Sequence, residues 1–478
     1  MNFTYSSAVL ENWVFRKEAV MMILESVFDP FVQKRPVCVL ARGILERLMD
    51  PERIDELFKN TAKAGYTRTL QFSTLVQLMA DVVLGVHPAV HAAFQSLHEA
   101  GEIPVSLTAV YNKLDRVEPC VSAALVRDSA EQAAPVIDAL NGRLAAWLPG
   151  YRCRIVDGNH LRATEHRLEE LRRTWAAPLP GKLLVVLDQE RMLAEEVFLT
   201  EDGHAQERSL FDAVLPSVKL KDLWIADRNF CTLGFLFGIA RRGGTFLIRQ
   251  HGQLKGLLIG RKRKVGRCET GVVYEQTIRL TDPDTEETAD FRRITIKLDK
   301  PTRDGDYELH LLSNVPAEDA DAVVLAELYR KRWTIETVFQ EITQTLQCEI
   351  ATLGYPKAAL FAFCLALLAF NAVSVLKASL RAVHGEETVQ QTVSGYYLSL
   401  EIRGTYDGMM IAIPEEHWTV FRTLTTRKLA TLLKQIARHV NLSRYRKHPR
   451  GPKKKPPKKT TYKDGGHVST YKLLKQRK

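Results

Sequence analysis

The seven cysteines of this chain, Cys38, Cys120, Cys153, Cys231, Cys268, Cys348 and Cys364, contain no C-x-x-C pair. That spacing argues against a structural zinc site and against a disulfide framework, and it points to a reducing, cytosolic compartment. The opening MNFTYSSAVLENWVFRKE has neither a basic n-region nor an apolar h-region, so no export signal is visible. Acid is scarce at the other end: residues 441–478 hold 14 Lys or Arg against Asp464 alone. The remaining 440 residues carry 53 bases and 55 acids, so the net charge of +11 resides in a tail.

Charge is also missing from Ala358 to Leu376, AALFAFCLALLAFNAVSVL, 19 residues between Lys357 and Lys377. That length suits a membrane span. Its six alanines, with Ala358, Ala362, Ala366 and Ala369 on one face, favour close packing in the core of a large protein. The expectation is therefore a buried helix and no membrane.

The 478 residues suffice for two to four domains, and a composition 45% hydrophobic and 26% charged is that of an ordinary globular protein. The tail, with KHPRGPKKKPPKKTTYK at its centre, has few apolar residues and several prolines, so 441–478 is expected to be disordered or extended. It would attract phosphates without fixed geometry, or serve only as a solubilising tail.

Residues 1–150 read as helical, with apolar periodicity in ENWVFRKEAVMMILESVF, TLVQLMADVVLGV and VIDALNGRLAAWL. Within them HPAVHAAFQSLHEA, the turn GEIPV and SLTAVYNKLDRV form a helix-turn-helix pattern with Ser106 as N-cap. Its second helix is expected to expose Thr108, Tyr111, Asn112, Lys113 and Arg116 toward base edges or phosphates. Short helix pairs usually bind nothing, which is the competing reading.

From Tyr151 strands take over. YRCRIVDGNHL is expected to end its strand on Asp157, with Gly158 in a sharp turn; KLLVVLDQE ends on Asp188, MLAEEVFLTEDG follows, and LKDLWIADRNF ends on Asp227. A helix, CTLGFLFGIARRGG, leads to a fifth strand, TFLIRQ. Strands first and strand-helix alternation afterwards predict a mixed α/β sheet with helices on its faces. Residues 253–315 then alternate as strands again, and their basic run Arg261, Lys262, Arg263, Lys264 is either a DNA-facing loop or a solvated hairpin tip. The segment 415–440 is amphipathic and helical, and the sequence leaves its role open.

The stretch YRKRWTIETVFQEIT, Tyr329 to Thr343, carries the chemistry. On a helix Tyr329, Arg332, Glu336 and Gln340 fall within about 80° of one another. A phenol, a guanidinium and a carboxylate in a row suit a phosphate and a metal ion held together, although an arbitrary triplet of this kind is more often a solvated face. The spacing Tyr, two residues, Arg, three residues, Glu resembles the signature of DDE transposases of the insertion-sequence-four family. DGNHL looks like that family's first-aspartate motif, and DGHAQERSLF with WIADRNF looks like the stretch around the second. The resemblance runs from about residue 150 to 380. Where the signature ends in Lys, this chain has Thr343.

The resemblance implies a ribonuclease-H-like fold with a β-rich insertion before the third carboxylate, in which the first and fourth strands are parallel neighbours. Asp157, Asp227 and Glu336 would then be the catalytic and metal-binding acids, and Asp188, ending an antiparallel strand, would be structural. It further implies two Mg²⁺ ions, with Mn²⁺ as a substitute, strand cleavage at the ends of an insertion sequence, and transfer of the freed 3′-OH to target DNA. Arg332, Tyr329 and Gln340 would meet the DNA backbone, and Trp333 would offer a platform for a flipped base. The expected partners are transposon ends, target DNA and a second copy of the chain, in the nucleoid of a bacterial cytoplasm. The expected division is a helical DNA-binding domain at 1–150, a catalytic domain at 151–400, a helical segment at 401–440 and the basic tail at 441–478. A DNA-binding protein with impaired catalysis is the alternative that Thr343 raises.

Overall fold

The computed structural model describes residues 24–64, 69–302, 305–448 and 466–476. The chain forms two compact units. One is residues 1–143, 341–350 and 361–461; the other is residues 144–340, 351–360 and 462–478. The opening stretch read for an export signal and the KKKPPKK centre of the tail lie outside the described residues.

The second unit is built on a mixed sheet with flanking helices. In chain order its strands are β1 (Arg152–His160), β2 (Ala177–Leu179), β3 (Lys182–Asp188), β4 (Leu193–Thr200), β5 (Asp222–Ala226), β6 (Thr245–Arg249), β7 (Leu257–Cys268), β8 (Gly271–Thr281), β9 (Thr288–Leu298), β10 (Glu308–Ser313) and β11 (His467–Ser469). Nine of them make one sheet in the order β4-β3-β1-β5-β6-β10-β9-β8-β7. β1 is antiparallel to β3 and parallel to β5, and β5 is parallel to β6. The 253–315 segment supplies β7 to β10, and β10 continues the same sheet by pairing antiparallel with β6.

Period-two alternation sorts the side chains to two faces. Val156, Leu184, Val186, Trp224, Phe246 and Ile248 face one cluster, which Phe235, Phe237 and Ile239 of the Leu233–Arg241 helix complete. Thr232 starts that helix, its hydroxyl accepting from the Phe235 N–H at 3.4 Å. Cys153, Leu223, Ile225 and Leu247 face the other side, against Leu325, Ala326, Leu328 and Tyr329 of the Ala322–Arg330 helix. Asp321 caps that helix by accepting from the Val324 N–H at 2.8 Å.

Three details differ from the sequence reading. β1 does not stop at Asp157: Gly158 pairs with Leu184 and His160 with Lys182, so Gly158 is inside a strand. A Cβ there would fall 2.5 Å from Glu207 Oε1, so the glycine answers a close neighbour, not a turn. The Arg261–Lys264 run is not a loop or tip but part of β7, an edge strand. Nor is the whole 441–478 stretch disordered. β11 pairs parallel with β2, the Thr470–Gln476 helix follows, Thr470 is buried and Lys472 pairs with Asp202 at 3.2 Å. A polar segment this short gains order from an available strand edge, which a local reading of composition misses.

The helical unit draws on three separate stretches of chain. The apolar run lies in the Pro356–His384 helix, the one helix among the described residues long and apolar enough to cross a membrane, and its apolar window is wholly buried. Its polar groups are answered: Asn371 Nδ2 donates to Ser129 Oγ at 2.8 Å, and the Arg381 guanidinium donates to the Gly142 carbonyl at 2.9 and 2.6 Å. Phe361 packs at 5.8 Å from Phe72, whose other side stacks on Phe58 at 4.5 Å. Truncating Phe361 to Ala leaves a cavity in that row and is expected to destabilise the helical unit by about 3–5 kcal/mol, measured as a lowered urea midpoint at unchanged slope. A loss under about 1 kcal/mol would show the row to be peripheral to the core.

Candidate active site

The first two acids meet because β1 and β5 run side by side in parallel. Their register pairs Arg152 with Asp222 and Ile155 with Ile225, so two steps further Asp157 stands level with Asp227. Parallel neighbours are about 4.8 Å apart, and alternation puts both aspartates on the Ile225 side, the side covered by the Ala322–Arg330 helix. Asp227 closes β5 as an N-cap, its Oδ1 accepting from the Asn229 N–H at 2.8 Å. Asp157 Oδ1 accepts from the Gly158 N–H at 2.9 Å.

The third acid comes from the other end of the unit. The Ala322–Arg330 helix does not run unbroken into Thr334–Thr345; Lys331–Trp333 is a 3₁₀ turn between them. This breaks the continuous 3.6-residue face expected from the sequence, because a 3₁₀ turn advances the chain faster around the axis. Its result is to turn Arg332 inward. Arg332 Nη1 donates to Asp157 Oδ2 at 3.1 Å while Nη2 donates to Glu336 Oε1 at 2.7 Å. One guanidinium thus joins acids 179 positions apart in the chain.

Burial is the strongest influence on each group. It pushes the Asp157 carboxyl up to about 6; Arg332 opposes that shift, and the charges of Asp227 and Glu336 add to it. Burial also drives the Tyr329 hydroxyl up to about 12, against the nearby Arg332 and with the charge of Asp227. For Arg332 burial favours loss of the proton, but Tyr329, Asp157 and Glu336 outweigh it and the guanidinium is held above its usual range. Asp157, Asp227, Glu336, Tyr329 and Arg332 therefore share one electrostatic neighbourhood. Among the described residues no three His, Cys, Asp or Glu side chains stand close enough to hold a metal ion, and the acids are drawn onto Arg332.

Glu207 is the neighbour that the sequence reading did not single out. It lies in the DGHAQERSLF stretch, where only the motif as a whole drew notice. Its Oε2 accepts from Asn229 Nδ2 at 3.4 Å. Burial raises its carboxyl, Lys182 opposes the shift and Asp227 adds to it.

The other candidates are spread more widely. Trp333 is 61% exposed, with the Arg332 guanidinium 5.5 Å from its ring. Gln340 is exposed on the Thr334–Thr345 helix, and Thr343, further along it, is half-buried and has contacts of its own. Asp188 is buried at the opposite end of β3, level with Arg154, and binds Arg191 through the N–H and Nη1, both at 3.0 Å. In the helical unit Ser106 caps the Leu107–Leu114 helix, accepting from the Ala109 N–H at 3.3 Å. Arg116 is exposed, but Lys113 is not presented to solvent as expected: its ammonium donates to the Leu70 carbonyl and lies 5.7 Å from the Phe58 ring. Along β7, Lys262 pairs with Glu308 at 3.5 Å and Arg263 with Glu275 at 4.0 Å, while Arg261 and Lys264 are exposed.

The raised Asp157 carboxyl has a consequence for stability. A carboxyl at about 6 in the fold against 3.8 in the open chain favours the folded state when protonated. That contribution is complete below 3.8 and is lost as pH rises through about 6. Asp157→Asn is therefore expected to raise unfolding stability at pH 7.5, by up to about 3 kcal/mol, and to lose that gain between about pH 6 and 4. Equal stability of the two proteins at about pH 7.5 in metal-free buffer would contradict the assignment.

The cluster lies within a stretch that is similar to known proteins. Residues 148–372 match the family described as Transposase DDE domain, a range that contains Asp157, Glu207, Asp227, Tyr329, Arg332 and Glu336. The chain is 32% identical over 128 residues to the "Putative transposase y4zB" of Sinorhizobium fredii (strain NBRC 101917 / NGR234). That match covers 26% of this chain, which spans 34% of the relative's length. Among solved structures, the piggyBac transposase in its synaptic complex with hairpin DNA aligns with a TM-score of 0.42 and 10% identity, over 84% of this chain and 86% of that one. Both matches are to transposases, the first over a DDE domain at residues 148–372 and the second over 128 residues.

Proposed function

We propose that the chain is a transposase of the insertion-sequence-four family that binds the ends of an insertion sequence, cuts a DNA strand there and joins the freed 3′-OH to target DNA. The observation that carries this reading is Arg332, which binds Asp157 and Glu336 at once in a stretch that matches the transposase DDE domain. The order β4-β3-β1-β5-β6, with two antiparallel steps and then two parallel ones, supports reading the sheet as ribonuclease-H-like.

The donor set suits Mg²⁺. Asp157, Asp227 and Glu336 offer hard carboxylate oxygens, the ligands such an ion takes. Burial raises the Asp157 carboxyl first, and the charges of Asp227 and Glu336 add to that shift against Arg332. When bound, two such ions would activate the attacking oxygen and stabilise the leaving one. The remaining work belongs to the chain. Arg332 presents a planar fork that matches two phosphate oxygens. Tyr329, buried and protonated throughout the working pH range, keeps a hydroxyl donor beside it. Trp333, exposed next to that guanidinium, offers a face on which a base can stack.

A second reading, a DNA-binding protein with impaired catalysis, rests on Thr343 where the family signature has Lys. In both readings transposon ends and target DNA are the partners, the chain works as a dimer, and its place is the bacterial nucleoid.

Incubation with a short duplex carrying the element's end separates the two. Asp157→Ala, Asp227→Ala and Glu336→Ala are each expected to abolish Mg²⁺-dependent cleavage while DNA binding stays within about threefold, or about 0.7 kcal/mol. Robust cleavage by any one variant removes that residue from the site, and binding without cleavage by the parent chain favours the second reading. For the basic segment, neutralising Lys453, Lys454, Lys455, Lys458 and Lys459 to Gln avoids deleting β11. It is expected to weaken DNA binding and to flatten its dependence on salt. An unchanged salt slope would exclude this segment from DNA contact.

A further inference from the structure

We propose that the C-terminal segment 466–476 is a positioning strap of the candidate site: seated beside β2, it fixes the DGHAQERSLF stretch, 202–211, and through it the turn that carries Asp227. Its use in strand cleavage rests on the metal-dependent reading above. β11 lies parallel to β2, pairing His467 with Ala177 and Ser469 with Leu179, and the Ala177 N–H donates to the Gly466 carbonyl at 2.9 Å. Ser469 and Thr470 are buried where this strand passes into the Thr470–Gln476 helix.

The 202–211 stretch is held by β2 and by the strap. Leu179 of β2 leaves no room beside Gly203, where a Cβ would fall 2.5 Å from the Leu179 Cβ and 3.0 Å from its carbonyl oxygen. On the strap, Lys472 Nζ meets Asp202 Oδ2 at 3.2 Å, while Asp202 Oδ1 accepts from the His204 N–H at 3.0 Å. Asp202 thus belongs to the turn and to the strap at once. From there the contacts run on to the site. Lys182 Nζ donates to the Ala205 carbonyl at 2.7 Å, Asn229 Nδ2 donates to Glu207 Oε2 at 3.4 Å, and the Asn229 N–H donates to Asp227 Oδ1 at 2.8 Å. Phe211 stacks on Phe230 at 4.9 Å, so the stretch is joined to the Asp227 turn at two points.

The strap lacks the apolar anchors that would make it part of the core. Its buried residues are small and polar, the Thr470 hydroxyl has no hydrogen-bond partner among the described residues, and the Lys472 side chain is 56% exposed. So open an ion pair contributes little, and a three-residue strand is marginal alone. Neither apolar cluster of the large sheet includes a residue of 466–476. The segment therefore adds little to the stability of the fold. What its contacts do fix is the orientation of a stretch whose other end is tied to Asp227.

Hydrogen exchange of the full chain, read by mass spectrometry without DNA or metal, tests the coupling. Thr470→Arg puts a charge in a fully buried position and is expected to lift the strap from β2. Amides at 202–211 and 228–231 should then exchange at least about tenfold faster than in the parent, with those of β5 and β6 unchanged and the melting temperature within about 2 °C. Lys472→Glu, a surface change that sets like charges together, should quicken the same amides about threefold, and Lys472→Arg should leave them as in the parent. In the duplex assay Thr470→Arg and Lys472→Glu should slow Mg²⁺-dependent cleavage in the same order; cleavage at the parent's rate despite faster exchange would remove the strap from the reaction. If 202–211 quickens while 228–231 does not, the strap holds the loop without positioning Asp227 and the proposal fails. It fails equally if neither stretch changes in either variant, or if melting falls by more than about 5 °C, which would make the segment part of the core. If the parent cuts no duplex in Mg²⁺, the metal-dependent reading fails, and exchange at 228–231 alone decides the strap.

Discussion

A single guanidinium holds the candidate site together. Arg332 is 7% exposed, and burying a charge so deeply is costly unless opposite charges and hydrogen bonds surround it. Asp157 and Glu336 provide them, at 3.1 and 2.7 Å from different nitrogens. The fork of an arginine makes this possible, since two carboxylates from different elements each meet their own N–H in one plane. A lysine, with one compact ammonium, would not fix the angle between β1 and the Glu336 helix. The cost of burial therefore becomes a constraint: the helix is registered on the strand by an ion pair, not by apolar packing alone. On the proposed function the same guanidinium is the natural phosphate contact, because a cation entering among the acids would compete with it for their oxygens.

That arrangement depends in turn on the parallel step from β1 to β5. Antiparallel neighbours can follow one another through a tight turn, but parallel neighbours need a long connection. Here the connection contains β2, β3, β4 and the Glu207 turn. The chain between Asp157 and Asp227 is thus more than a spacer. It returns Glu207 to the glycine beside Asp157 and brings Phe211 against Phe230. One crossover both aligns the aspartates and lines the edge next to them.

Much of this was legible in the sequence where the signal is local. Short apolar runs located β1, β3, β5 and β6, with Asp188 and Asp227 at the ends of two of them and Asp157 inside the first. The long run from Ala358 read correctly as a buried helix because its alanines allow close approach. The misreadings occur where a distant neighbour decides. Gly158 next to Asp157 suggests a turn, since glycine adopts turn conformations easily, but here it makes room for Glu207. Lys113 looks like a surface cation on an amphipathic helix, yet a carbonyl 43 positions away takes its ammonium. HVSTYKLL after a run of lysines resembles the end of a solvated tail, and only the edge of β2 makes HVS a strand. The 3₁₀ turn at Lys331–Trp333 left no periodic trace, because three residues are too few to shift a helical pattern.

The basic run on β7 shows how one set of side chains answers two demands. An exposed edge strand invites pairing with another chain, and lysine and arginine along it are a common defence. Leu257, 65% exposed at the start of β7, shows that the edge needs one. The same residues suit phosphate contacts by their charge, but the fold weakens that field. Lys262 is paired with Glu308 and lies 4.8 Å from the Tyr274 ring, Arg263 faces Glu275, and Arg267 is bound to Asp299. Each such partner offsets charge that a phosphate would otherwise meet. The run's formal charge therefore overstates its attraction for DNA, and edge protection accounts for its place in the strand without a nucleic acid. What the strand could add to DNA binding rests on Arg261 and Lys264, whose side chains extend into solvent from the outer edge of the sheet.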